Sequence, residues 1–270
     1  MTFFAPSYYN KFKCIADKCV NNCCIGWEID IDENTLDFYK SKEDIIKHID
    51  LSPTPHFILK NNKCPFLNNR NLCELINKYG ENNLCQICRD HPRFINCFES
   101  RTEIGIGMCC EAATELIINN DFELIKIDET GHKYINNDNE NLFFESRNKI
   151  LSKKPEDFIS YLPYINLNEI YTFLMKLEKL NNNRDEILEI LKNDTRKINK
   201  IILNDNVYFK RIFDYFVFRH IHTYGLEFCI LCTYIIAALG NDIKNNARFF
   251  SSEIEYSYEN THKLLDILEL

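Results

Sequence analysis

Hydrophobic and polar positions divide this chain into two differently written parts. From Ile25 to Asp32 the apolar residues Ile25, Trp27, Ile29 and Ile31 alternate with polar ones, the period of a half-buried strand. Asp32 then stands where a helix cap is expected, ahead of an apolar series through Leu36, Phe38, Tyr39, Ile45 and Ile46. Pro53 and Pro55 end that series, and His56 to Lys60 reads as a short strand. A helical turn is expected over Glu74 to Tyr79, stopped by Gly80. Arg93–Phe98 and Thr102–Met108 read as a small hairpin, and a helix starts at Glu111. Beyond a polar run from about Asp128 to Asn141 the apolar spacing becomes three and four residues. It predicts helices over Leu142–Leu151, Asn166–Leu180, Arg184–Leu203, Val207–His222, Leu226–Leu239 and Ala247–Leu268. The expected fold is mainly α. A cysteine-rich metal- or cluster-binding region with a few short strands (1–130) precedes a helical bundle (131–270).

Composition sharpens the first part. Seven of thirteen cysteines fall between Cys64 and Cys110, and Cys14, Cys19, Cys23 and Cys24 form an earlier group. The region is rich in asparagine turn formers and appears poor in core residues. The Cys85-x2-Cys88 pair sets two sulfurs on one turn, within reach of one metal or cluster. Zinc takes four such ligands in a closed tetrahedron, whereas an iron–sulfur cluster takes thiolates from similar loops. The Cys14, Cys19, Cys23, Cys24, Cys64, Cys73, Cys85 and Cys88 groups are the candidate ligands. Cys229-x2-Cys232 sits in an unbroken apolar run and reads as packing, as does Cys97 in its strand. Arg89 and Arg93 flank Asp90-His91-Pro92 directly after Cys88, suited to a negatively charged centre or a ligand carboxylate.

Charge and absent motifs narrow the function. The net charge is −8 with no basic patch, which argues against nucleic acid as a partner. The first residues lack the pattern of a signal peptide, and the longest apolar run, Phe228 to Leu239, is short for a membrane span. A cytoplasmic protein with reduced thiols and no membrane partner is expected. Gly105-Ile106-Gly107 lacks the third glycine of a dinucleotide-binding loop, and there is no Walker loop or nucleophile elbow.

The pattern Cys19-x3-Cys23-Cys24-x2-Trp27-x-Ile29-x-Ile31-Asp32, with Cys64-Pro65-Phe66-Leu67, Leu72-Cys73, Leu84-Cys85-x2-Cys88 and Pro92-Arg93, resembles the flagellin lysine-N-methylase family. That family is related to cysteine-rich zinc- or iron-chelating proteins. Cys109-x-Glu111-Ala112, Tyr215-Phe216-x2-Arg219 and Ile254-Glu255-Tyr256-Ser257 extend the resemblance towards the end. Cys110 departs from the pattern, and the chain is shorter than many members in its helical middle. The resemblance implies an iron–sulfur cluster, 4Fe-4S in type, S-adenosylmethionine as methyl donor and surface lysines of flagellin as acceptors. It adds Cys109 to the ligands. Arg89, Arg93 and Trp27 are the residues expected to hold the donor, and Glu111 and Asp32 are the carboxylates expected to assist proton removal. A non-enzymatic zinc- or iron-chelating protein and an electron-transfer protein are the competing classes.

Overall fold

The computed structural model describes residues 2–129, 137–154, 156–159, 172 and 195–268. Two compact units divide the chain: Lys13–Phe94 is one, and Met1–Phe12 with Ile95–Leu270 is the other. The change of composition near residue 130 lies at residues outside the described set.

The chain opens on strand β1 (Thr2–Pro6). The Lys13–Phe94 unit then begins with loops and reaches helix α1 (Glu33–Lys40), capped as expected by Asp32, whose side chain accepts from Thr35 N. Helix α2 (Glu43–Ile46) and the two-residue strands β2 (Ile49–Asp50) and β3 (His56–Phe57) follow. Helix α3 (Glu74–Tyr79) ends at Gly80, and helix α4 (Gln86–Asp90) carries the end of the Cys85–Cys88 turn. The core joins Ile29, Ile31, Leu36, Tyr39, Phe57 and Phe66, with Cys64 and Cys85 packed among them. Phe66 meets Phe57 edge-on at 5.2 Å between centroids. Burying each such side chain contributes about 1.5–3 kcal/mol. The Cys64–Cys110 stretch therefore supplies core residues of its own, Phe66, Leu75 and Leu84, contrary to its apparent poverty in them.

The strand expected over Ile25–Asp32 is not a ladder. Ile29 and Ile31 are buried as the alternation requires, but pairing is confined to the isolated bridges Ile25–Lys63 and Asp30–His56. The facing segment explains this. Pro53 and Pro55 have no N–H to offer, and Ile31 N donates to the Pro55 carbonyl beside them.

In the second unit a four-stranded sheet has the order β4–β5–β1–β6, with β4 Arg93–Cys97, β5 Arg101–Ile106 and β6 Leu124–Glu129. The neighbours β4 and β5 match the expected hairpin. β1 runs parallel to β5, placing Phe4 opposite Glu103, and antiparallel to β6. Asn96, rather than Cys97, faces inward from β4. Its amide donates to the Phe218 and Arg219 carbonyls while Cys97 is exposed, correcting the reading of Cys97 as core. Helix α5 (Glu111–Asn119) precedes β6. After it come α6 (Asp138–Leu151), the turn α7 (Glu156–Ile159) and α8 (Thr195–Asn204). The predicted helix Asn166–Leu180, apart from Thr172, and the start of Arg184–Leu203 lie outside the described residues.

The long helix α9 (Asn206–Ala238) merges the two predicted segments Val207–His222 and Leu226–Leu239. Gly225 separates them at φ 81°, a left-handed conformation that favours glycine. Among the described residues this one helix is long and apolar enough to cross a membrane, which the single run Phe228–Leu239 had not suggested. Most of its apolar stretch is buried inside the unit, with Phe213, Phe216, Phe228 and Ile235 at or near zero exposure. Cys229 and Cys232 are fully buried there, as packing residues should be. Helix α10 (Ile243–Phe250) continues through a π turn, Ser251–Glu255, before α11 (Tyr258–Leu268).

Candidate functional site

Four chain segments bring cysteines together within the Lys13–Phe94 unit. The Cys23–Cys24 loop is shaped by Asn22, whose side chain accepts from Cys24 N at 2.9 Å, and by Trp27, whose indole donates to the Cys23 carbonyl at 2.6 Å. Cys64 N donates to the Cys24 carbonyl at 2.8 Å, so the second segment is tied to the first by its backbone. Cys73 pairs with Leu67 in an isolated bridge and stands at the N-terminus of α3. Cys85 stands at the N-terminus of α4, where two distant groups hold it. The Tyr39 hydroxyl accepts from Cys85 N at 3.0 Å, and the Asp32 carboxylate accepts from Gln86 N at 2.7 Å. A single aspartate thus starts two helices, α1 and α4.

The thiols themselves interact in two groups. Interaction with Cys23 and Cys64 pushes the Cys24 pKa far up and draws those of Cys23 and Cys64 down. Cys88 and Cys85 are related in the same way, Cys88 raised and Cys85 lowered. The Cys73 thiol is raised chiefly by burial, while the N–H groups of Leu75 and Ile76 favour its charged form. Cys73 and Cys88 lie within electrostatic reach of both Cys23 and Cys64, so the six sulfurs form one neighbourhood. No disulfide joins any of the thirteen cysteines. Helix N-termini and neighbouring donors are the environments that favour thiolates.

Of the nine expected ligands, Cys23, Cys24, Cys64, Cys73, Cys85 and Cys88 make up this neighbourhood. The other three have contacts of their own. Cys14 is exposed and its sulfur accepts from Ala16 N, while the Cys19 thiol donates to the Asn21 carbonyl. Cys109 belongs to the other unit, where burial raises its pKa and the Tyr256 hydroxyl bonds its sulfur. Among the described residues no three His, Cys, Asp or Glu side chains are placed to hold a single metal ion.

Of the other expected residues, Trp27 sits at the cysteine loop and approaches the His91 ring at 6.2 Å between centroids. Arg89 is exposed beside Asp90, and Arg93 is exposed too. Burial pushes Asp32 up, but donation from Gln86 and Thr35 outweighs it and holds the carboxyl below its usual range. Its oxygens are engaged in capping. Glu111 opens α5 in the other unit.

One residue that the sequence did not single out stands beside these thiols. Tyr39 holds the Cys85 backbone and lies near Cys85, Cys88 and Cys73. Its place among apolar helix residues gave no signal of this. His91 is buried, which pulls its pKa down to about 4, and its Nε2 has no hydrogen-bond partner among the described residues. The sequence signal was its position three residues past Cys88.

The donor chemistry fits the iron–sulfur cluster that the resemblance implies. Six undisulfided thiols from separate loops, two at helix N-termini, offer soft anionic ligands with N–H groups around them. A buried neutral imidazole with an open nitrogen stands beside them.

These features define a cysteine-cluster protein built on a mainly helical frame. No family model matches the chain. In an alignment 135 positions long that covers 44% of this chain, it is 27% identical to the protein named lysine-N-methylase of Salmonella typhimurium, and the match covers 33% of that relative. The lysine-N-methylase of Salmonella choleraesuis matches with the same identity and coverage. The flagellar biosynthetic protein FliU of Salmonella muenchen is 24% identical in an alignment 132 positions long that covers 44% of this chain and 78% of that one. No solved structure matches. The chain is thus similar over part of its length to proteins named lysine-N-methylase. It spans about a third of the length of the two lysine-N-methylases.

Proposed function

We propose that this chain is an S-adenosylmethionine-dependent protein-lysine N-methyltransferase acting on flagellin in the cytoplasm. Its cysteine neighbourhood would carry a 4Fe-4S cluster. The observation that carries the reading is the convergence of six reduced thiols in a chain similar to proteins named lysine-N-methylase. The similarity to FliU, a flagellar biosynthetic protein by name, supports a flagellar acceptor.

A cluster fits the donor set better than zinc does. One zinc ion needs its sulfurs about 2.3 Å from a single point, whereas a cluster takes thiolates at separate irons. Two interacting groups of thiols drawn from four chain segments suit the second case. Cys23, Cys24, Cys64, Cys73, Cys85 and Cys88 are the residues that would hold it, from a pool larger than the cluster needs. Bound there, it would supply an iron able to ligate the donor's amino and carboxylate groups. Arg89 and Arg93 would pair with that carboxylate.

The acceptor lysine must be neutral to attack, although its free pKa is about 10.4. Trp27 and the neutral His91 form an apolar, uncharged wall that disfavours an ammonium next to it. The Asp32 oxygens are engaged in capping, so that wall is the feature that favours the neutral amine.

The experiment incubates anaerobically reconstituted protein with purified flagellin and isotopically labelled donor, then maps lysine masses. Label on flagellin lysines is expected with the parent protein, and loss of it with Cys23→Ala plus Cys88→Ala. Full activity of that variant without iron would refute the mechanism. No donor binding and no methylation by cluster-loaded protein would assign the chain to the metal-chelating class instead.

A further inference from the structure

The larger unit contains a cavity of about 480 Å³ between the sheet and the end of α6. Phe4, Phe122, Leu124 and Leu151 supply its apolar groups, and its more extensive polar surface includes Arg101, Asn148 and Ser152. That volume is within the roughly 300–1,000 Å³ of small-molecule sites.

Arg101 is the informative member. Its guanidinium lies over the Phe144 ring at 3.3 Å from the centroid and over Phe4 at 4.9 Å. Its Nη2 pairs with Glu103 at 2.5 Å, but Glu103 is shared. Both Glu103 oxygens also accept from the fully buried Arg147, at 2.6 and 2.7 Å. One buried carboxylate therefore faces two guanidinium groups. Glu140 is within electrostatic reach of Arg101, yet its oxygens are engaged by the Glu99 and Ser100 N–H groups and the Ser100 hydroxyl. The Nε atoms of Arg101 and Arg147 are buried and have no hydrogen-bond partner among the described residues. A buried cation with an unsatisfied donor is costly unless an anion or acceptor completes it.

The geometry points to a binding site for a small organic carboxylate with an apolar body, its acid group paired with Arg101 and its body on Phe4, Phe122 and Leu124. Flat guanidinium faces fixed by aromatic rings suit such pairing. The opposite end of the cavity does not compete for an anion. The Leu151 carbonyl accepts from Lys210 and the Ser152 hydroxyl bonds the Lys149 carbonyl. This site is independent of the methyl-transfer reading.

Calorimetric titration of the full chain with 3-phenylpropionate, and with its uncharged amide, tests it. The acid is expected to bind at least about tenfold more tightly than the amide, and Arg101→Met to remove that preference. Asn148→Trp, at an exposed position on the rim, is expected to block both ligands with circular dichroism unchanged. Equal affinity for acid and amide, or no heat from either at millimolar concentration, overturns the assignment. So does acid binding that survives Asn148→Trp, which decides the matter even if Arg101→Met fails to fold.

Discussion

Replacing Asp32 with alanine removes one side chain that starts two helices, and the structure sets the size of the effect. The carboxylate accepts from Thr35 N and from the Thr35 hydroxyl at the beginning of α1. It also accepts from Gln86 N at the beginning of α4, at 2.7 Å. Loss of an N-cap costs about 1 kcal/mol within a range of about 0.5–2. The second helix start adds about 1 kcal/mol for its hydrogen bond. Asp32→Ala should therefore lose about 2–3 kcal/mol, and Asp32→Asn, which keeps one acceptor oxygen, about 1 kcal/mol. Urea unfolding followed by fluorescence reads this unit specifically, because Trp27 is the chain's one tryptophan and lies within it. The sign of the pH dependence follows from the depressed pKa of Asp32. Its contribution is present above the unfolded value near 3.9 and fades as the pH falls through the lower folded value. Asp32→Ala within about 0.5 kcal/mol of the parent would refute the double-cap reasoning. Methylation lost in a stable Asp32→Asn would instead assign the carboxylate to the chemistry.

Glu255 is buried among Arg219 at 3.1 Å, His220 at 2.6 Å and the Tyr215 hydroxyl at 2.7 Å, so Glu255→Gln should cost about 3–5 kcal/mol in thermal or urea unfolding. Burial raises the Glu255 pKa, but Arg219 and His220 outweigh it and bring the value to about 2. Its stabilisation should persist above the unfolded value near 4.3 and be lost between there and about pH 2, a slope absent from the variant. A Cβ on Gly107 would stand 2.1 Å from the Tyr256 hydroxyl oxygen, so Gly107→Ala should destabilise by about 1–3 kcal/mol, measured as a lowered Tm. Changing both Cys229 and Cys232 to alanine should cost about 1–3 kcal/mol through small cavities while leaving metal content intact. Metal lost from that double variant with the fold retained would contradict their role as packing.

Local rules were legible in the sequence where the signal was local. Asp32 as a cap, Gly80 as a helix stop and the start of α5 at Glu111 each rest on a few adjacent residues, and the structure has them in place. Strands β1 and β6 were not legible, because they pair with each other across more than a hundred residues and neither shows a clean alternation. The cysteine groups were visible in the spacing, but which six come together was not, and neither was Tyr39. Its hydroxyl reaches a backbone N–H 46 positions away, a contact that only the packing of α1 on the cysteine loops creates. The same limit applies to Cys109, whose motif looked like the others although its partners Arg219 and Tyr256 come from the far end of the chain.

The most direct test of the central claim is iron and acid-labile sulfide analysis of protein expressed with ample iron and purified anaerobically. The account predicts brown protein, with broad absorption from cysteine-ligated iron and equal amounts of iron and sulfide. Substituting Cys85 and Cys88 together should abolish these signals, and substituting Cys229 and Cys232 should not. Colourless protein with stoichiometric zinc, or a cluster unchanged in Cys85→Ala plus Cys88→Ala, would contradict it.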